Sequence, residues 1–166
     1  MYLILIGNAL AFIGAILMVA IGFLKKRNQI LITQSIQFSI MGAANIILGG
    51  ITGGLANFVS IVRNIICIKF EFKIYLKIIF TGLLVFLCLL TNNSGWLGIL
   101  PLLSAVIYTW FLDVKNETQL KIILITTQIF WVVYDISIHN YVSFAFDIFT
   151  IISNIIGIFM IKKSAA

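Results

Sequence analysis

The sequence predicts an all-α membrane protein with about seven transmembrane helices, and three observations predict it. Of its 166 residues, 62% are hydrophobic and 10% charged, with a mean hydropathy of +1.18; a soluble domain carries roughly 25% charged residues. Apolar runs of membrane-spanning length follow one another with only short breaks. The cations fall in alternate breaks, as they do in chains threaded through a bilayer. A chain this apolar cannot cover its own surface in water, so lipid is its solvent.

A spanning helix needs roughly 20 apolar residues at about 1.5 Å rise each. The runs are 2–24, 28–49, 51–69, 73–91, 95–112, 118–138 and 141–161, which leaves nothing for a soluble domain. The first run is too long for a signal-peptide core and has no basic leader. It stops on Lys25, Lys26 and Arg27, so it reads as a retained span. The later breaks are Gly49-Gly50, Glu71-Phe72-Lys73, Thr91–Gly95, Asp113–Glu117 and His139-Asn140. Turns this short make sequential helices antiparallel neighbours.

The breaks after spans 1, 3 and 5, with the C-terminus, carry Lys25, Lys26, Arg27, Lys69, Lys73, Lys77, Lys115, Lys121, Lys162 and Lys163. The breaks after spans 2, 4 and 6 carry no Lys or Arg. The positive-inside rule therefore places the N-terminus outside and the C-terminus in the cytoplasm. Trp96, Tyr141 and Tyr2 fall at outer boundaries, and Tyr108 and Trp110 toward the inner end of span 5. All five read as interface anchors.

The net charge of +6 would suggest nucleic acid in a soluble protein. Cations confined to helix ends remove that partner and leave the bilayer. Cys67 and Cys88 each lie in an apolar run without a CxxC or Cys/His cluster, so no disulfide framework or metal site is expected. There is one His, no HExxH, no GxSxG, no glycine-rich phosphate loop and no paired membrane aspartates of obvious protease type. No catalytic residues, no cofactor and no enzymatic activity are expected.

The chain carries an internal repeat. Asn57, Ser60 and Asn64 in span 3 stand 90 positions before Asp147, Thr150 and Asn154 in span 7. Both sets follow i, i+3, i+7, one face of a helix. The string from Ile61 to Ile66 matches that from Ile151 to Ile156. The same offset aligns Lys25 with Lys115 and Gln29 with Gln119, and a one-residue shift brings Gln37 onto Gln128. Spans 1–3 thus repeat as spans 5–7. The reading is one membrane domain of two parallel three-helix bundles, residues 1–70 and 94–166, joined by a linker helix in 71–93, a 3+1+3 plan used by transporters.

Polar side chains concentrate on the second and third helices of each repeat. Span 2 carries Gln34, Gln37 and Asn45; span 3 adds Arg63 to its Asn57, Ser60 and Asn64. Span 6 carries Gln128, Trp131 and Asp135; span 7 carries Asp147, Thr150 and Asn154. Such groups are costly in hydrocarbon unless they face protein or water, and a central cavity between two bundles accounts for them. Individual amides and hydroxyls also serve as glue between helices. Asn57 and Asp147 are the first candidates for solute binding. Trp131, Asn64, Asn154, Gln37 and Gln128 are further candidates. Asp135, near the outer edge, pairs with His139 four residues on, as a surface pair or a proton-linked gate. Arg63 is expected to snorkel toward the headgroups, the alternative being a pair with a carboxylate or phosphate of the solute. Pro101 is expected to kink span 5 or to cost it a hydrogen bond.

Three stretches carry a family likeness. They are Gly54-Leu55-Ala56-Asn57 through Arg63-Asn64-Ile65, Ile99-Leu100-Pro101-Leu102 through Tyr108-Thr109-Trp110, and Phe130-Trp131-Val132-Val133-Tyr134-Asp135. On them the chain resembles the YgjV family of bacterial inner-membrane proteins over most of its length. That implies residence in the bacterial cytoplasmic membrane. In architecture it is similar to the SWEET sugar transporters, the PQ-loop transporters and the nicotinamide-riboside transporters. In SWEET proteins an Asn on the third helix of each repeat and a Trp on the preceding helix surround the sugar, and the matching positions here are Asn57, Asp147 and Trp131. The pattern departs at Asp147, which replaces an Asn, and at Met41 or Gly42, where the first repeat lacks the aromatic. The PQ dipeptide is also missing. These departures put a neutral sugar in doubt and leave room for a cationic or proton-coupled solute.

Three functions remain open: a carrier or facilitator for an unnamed small solute, a non-transporting membrane partner such as a sensor or assembly protein, and an intramembrane enzyme acting on lipid. Partners expected are the lipid bilayer and the solute, and the architecture is compatible with homo-oligomers.

Overall fold

The computed structural model describes residues 2–92, 95–138 and 140–165, and the described residues form seven α-helices without a strand. These are α1 (Tyr2–Ile21), α2 (Arg27–Ile47), α3 (Ile51–Lys69), α4 (Ile74–Thr91), α5 (Ile99–Phe111), α6 (Glu117–Ser137) and α7 (Tyr141–Ala165). Six are long and apolar enough to cross a membrane. The other is α5 with the 3₁₀ turn Gly95–Gly98 ahead of it. Four residues at about 2.0 Å and thirteen at about 1.5 Å give roughly 27 Å, close to the ~30 Å of hydrocarbon.

Pro101 does not kink α5. It lies in the first turn, where backbone N–H groups have no partner inside the helix and a missing one costs nothing. The tight turn after α2 closes on Gly49, whose φ of 90° suits a residue without a side chain. There the Gly50 N–H donates to Asn45 O at 2.7 Å and the Gly49 N–H to Ile46 O at 3.1 Å. The turn after α6 repeats the longer bond, from the Asn140 N–H to Asp135 O at 2.9 Å. Asn140 then caps α7 by accepting from the Ser143 N–H at 3.2 Å. At the other end of α6, the Asn116 side chain accepts from the N–H groups of Thr118 and Gln119.

Consecutive helices pack pairwise: α1 on α2, α2 on α3, α5 on α6 and α6 on α7. Two further seams, α1 against α7 and α3 against α5, close these six helices into a ring. Helix α4 stands outside, leaning on α3 and α5, with only Phe80, Leu84 and Cys88 buried. Lys77 ties it to the end of α5, donating to Trp110 O at 2.8 Å and pairing with Asp113 at 2.9 Å.

The seams differ. Across α1–α7 a Cβ on Gly157 would collide with the backbone oxygen of Gly22, and one on Gly22 with Ser153. The α3–α5 seam is filled by Arg63, Tyr108 and Cys67. Burial is inverted relative to a soluble protein. Leu89, Leu90 and Phe159 face outward, while nearly every amide of the spans points into the ring.

Candidate functional site

The ring's interior is polar because each inward face was written polar. Gln34, Gln37, Met41 and Asn45 recur at i, i+3, i+7 and i+11 along α2. Corresponding faces of α3, α6 and α7 bring Asn57, Ser60, Arg63, Gln128, Trp131, Asp135, Asp147, Thr150 and Asn154 to the same space, and α5 adds Ser104 and Tyr108. Together they enclose a cavity of about 60 Å³ at the centre of the ring.

Of the residues the sequence singled out for solute binding, Gln37, Asn57, Gln128, Trp131, Asp147 and Asn154 line this cavity. Asn64 does not. It lies behind Arg63, accepting on Oδ1 from Nη2 at 3.3 Å and Nε at 3.4 Å. Asp135 does not reach water. It sits one turn beyond Trp131 in the last turn of α6, 2% exposed, with its carboxyl against that of Asp147. The two carboxyls meet across α6 and α7, a juxtaposition that spacing along the chain does not show. Gln128 Nε2 donates to Asp147 Oδ1 at 2.5 Å. His139 lies outside the described residues.

Two residues were misplaced by the sequence reading. Arg63 does not snorkel; it is 1% exposed. Nη1 donates to Ala105 O at 3.2 Å and to Thr109 Oγ1 at 3.0 Å, and the guanidinium stacks on Tyr108 at 4.7 Å from the ring centre. A guanidinium has five N–H donors, and one on Nη2 is left without a protein acceptor. No carboxylate of the described residues is within ion-pair reach of it. Tyr108 is no interface anchor either, since its hydroxyl donates to Gln34 Oε1 at 2.6 Å. A signal for Arg63 was present: it follows Ser60 by three positions on the inward face. Trp96, Tyr141 and Tyr2 are exposed as expected of anchors.

Aromatic residues line the cavity toward both ends. Away from the cations, Trp131 and Tyr134, edge to face at 5.8 Å, cover Gly53. A Cβ there would come within 3.1 Å of the Tyr134 ring. Toward the cations, the Tyr108–Gln34 bond and Arg63 form the floor. One helical turn below Arg63, Cys67 lines a wide recess of about 680 Å³ among Arg27, Lys69, Lys73, Asp113 and Lys115.

Two cations stitch the ring at this end. Arg27 Nη2 donates to Leu112 O at 3.0 Å and to Cys67 Sγ at 2.8 Å. Lys121, fully buried, donates to Gly22 O at 2.6 Å beside Gly157. Gly22 and Leu112 differ by the 90 positions of the repeat, as do Cys67 and Gly157.

Several buried polar atoms facing the cavity have no protein partner: both side-chain atoms of Asn45, Asp135 Oδ1, Asp147 Oδ2 and Asn154 Oδ1. A buried polar atom without a partner is expensive. Among the described residues no group of three His, Cys, Asp or Glu is placed to hold a metal ion. No curated protein and no solved structure matches the chain. The model of one family, Imp-YgjV, described as a bacterial inner membrane protein, matches residues 5–165. With six helices fit to cross a membrane and a polar interior sealed from lipid, the chain belongs to the YgjV family of bacterial inner membrane proteins.

Proposed function

We propose that the protein is a carrier for a small polar solute, built as two parallel three-helix units, residues 1–70 and 94–166, with residues 71–93 as the linker. The N-terminus lies outside and the C-terminus in the cytoplasm. The observation that carries this reading is the convergence of unpartnered polar atoms from α2, α6 and α7 on one enclosed cavity at the ring's centre. The repeat supports it too. The seams α3–α5 and α1–α7 exchange under the 90-position offset, as do the pairs α1–α2 with α5–α6 and α2–α3 with α6–α7.

A cavity of about 60 Å³ is small beside the ~300–1,000 Å³ of a typical ligand pocket. It corresponds to a closed form that widens as one unit rocks against the other, first toward the recess or toward the Trp131 end. Arg63, a buried cation with a spare donor and no protein counter-charge, favours a solute bearing a carboxylate or phosphate. Asn57, Gln37 and Gln128 supply amide contacts, and Trp131 an apolar face.

The test is a thermal-shift screen of the detergent-purified protein against sugars, nucleosides, vitamins, amines, amino acids and organic acids. A ligand of the folded state at a hundred times its Kd adds about 2.7 kcal/mol of apparent stability. One anionic class of hit, lost in Asn57→Ala, is expected. A silent screen at millimolar concentration sinks the reading.

The Asp135–Asp147 contact favours one other reading, an intramembrane hydrolase using the two carboxyls as acid and base. It needs a path from the acyl chains to the pair, whereas both residues are buried and α7 closes against α1 and α6. Cleavage of a tagged transmembrane peptide, lost in Asp147→Asn, would replace the carrier reading.

A further inference from the structure

The repeat supplies an internal control for the acid pair. Asp135 stands 90 positions after Asn45, and Asp147 90 positions after Asn57. The backbone closures match as well: the Gly50 N–H bonds Asn45 O, and the Asn140 N–H, 90 positions on, bonds Asp135 O. One helix-to-helix junction is therefore built twice, with two amides between α2 and α3 and two carboxyls between α6 and α7. Asn and Asp have nearly the same shape, so packing does not demand the acids. What the second junction has and the first lacks is the capacity to bind and release a proton.

The geometry is that of a shared proton. Asp135 and Asp147 are both buried on the wall of one cavity with their carboxyls against each other. Carboxylates only accept hydrogen bonds, so two carboxyls in contact there hold a proton between them. Two like charges at that distance in hydrocarbon oppose each other. Among the described residues no cation pairs with either carboxyl. On its own helix Tyr134 adjoins it and Gln128 donates to Asp147, while Lys121 is bound to Gly22 O at the basic end. Across the cavity α3 brings Arg63 and α5 brings Tyr108, bound to each other, to Thr109 and to Gln34. Helix α1 brings Met18 and no titratable group.

We infer that the Asp135–Asp147 pair is a proton-binding site inside the cavity, loaded and unloaded as the carrier opens, so that movement of the solute is tied to movement of a proton. This rests on the carrier reading. In the unloading step the shared O–H bond breaks, the proton passes to water at the open face as the solute leaves Arg63 there, and two carboxylates remain. Reloading from the other face restores the pair. With an anionic solute on Arg63, proton and solute travel together.

The test has two arms. The first needs no solute: infrared difference spectra of the purified protein through a pH titration. Wild type is expected to show the C=O band of a buried protonated carboxyl at neutral pH, lost at alkaline pH. The double variant Asp135→Asn, Asp147→Asn should lack the band. Because it copies the first junction, that variant should fold, as checked by its elution profile. No such band in wild type, or one unchanged in the double variant, overturns the site. In the second arm, vesicles of phosphatidylethanolamine and phosphatidylglycerol are loaded with pyranine, and each compound of the thermal-shift panel is added outside. Luminal acidification with at least one anionic compound, abolished in the double variant, supports the linkage. Acidification of equal size in the double variant overturns it. A silent thermal-shift screen with the infrared band intact identifies failure of the carrier reading instead.

Discussion

The seam between α1 and α7 turns on one glycine contact, and it makes a measurable demand. A Cβ added to Gly157 would overlap the backbone oxygen of Gly22, which cannot swing aside as a side chain would. It would also come within 2.8 Å of Lys121 Nζ, which holds that same oxygen. Overpacking costs about 1–3 kcal/mol. A displaced charged hydrogen bond costs about 1.5–3 kcal/mol. Replacing a helix glycine by alanine returns at most about 1 kcal/mol. Gly157→Ala is therefore expected to destabilise by about 2–4 kcal/mol. Gly82→Ala is the control. Gly82 lies mid-helix in α4 with nothing near its would-be Cβ, so the change should be neutral or slightly stabilising. The assay is the unfolding midpoint by intrinsic fluorescence in dodecylmaltoside. Equal midpoints for the two variants would refute close contact of α1 with α7, and with it the closed ring.

Other consequences follow from the same geometry. Lys121→Met and Arg27→Gln each leave a helix-end carbonyl without its cation, and each should lower the midpoint by an amount equivalent to about 1.5–3 kcal/mol; a shift in neither would deny that these cations stitch the ring. Arg63→Lys keeps the charge but cannot hold Ala105 O, Thr109 and Asn64 together, so about 1–3 kcal/mol should be lost and any anionic hit weakened. An unshifted hit would remove Arg63 from the binding site. For orientation, Lys115→Cys should react with an impermeant maleimide only in inverted vesicles and Trp96→Cys only in right-side-out ones; the reverse pattern would invert the topology. A cross-link between native Cys67 and Leu112→Cys, across α3 and α5, should block thiol reagents from reaching Thr150→Cys from the basic end, and unchanged labelling would place the opening elsewhere.

The sequence carried the membrane, the helix count and most of the cavity, because each is a periodic or compositional property. Gln37, Asn57, Trp131, Asp147 and Asn154 were legible because a polar residue inside a span has few places to point. The charge partners were not legible, because they depend on which helices meet. Spacing of i+4 pointed Asp135 to His139, which lies outside the described residues, and gave no sign of Asp147 beside it on the next helix. Arg63 was sent to the headgroups because its depth allowed it; Thr109, Ala105 and Tyr108 on α5, which hold it inside, lie more than forty positions away. Tyr108 was read as an anchor for the same reason, since its partner Gln34 stands across the ring. Pro101 was read as a kink because the 3₁₀ turn ahead of it, which moves it into the first turn of α5, leaves no mark in composition.

The two seams lie 90 positions apart and differ in kind. At Gly22 and Gly157 the α1–α7 seam brings backbone against backbone, with the Ser153 side chain and the Phe12–Phe146 ring pair beside it. At the matching positions Leu112, Arg63 and Cys67 the α3–α5 seam is made of side chains. Those contacts are hydrogen bonds to carbonyls and a hydroxyl, which can be exchanged for bonds to water or solute at little net cost. In the carrier proposed above, the small-residue seam would be the pivot and the arginine seam the part that yields. The arginine seam also stands one turn above the recess among Arg27, Lys69 and Lys115. When it parts, the guanidinium that fills it is the first group an anion entering from the recess would meet. In this arrangement opening the basic end and exposing the solute's counter-charge are the same movement.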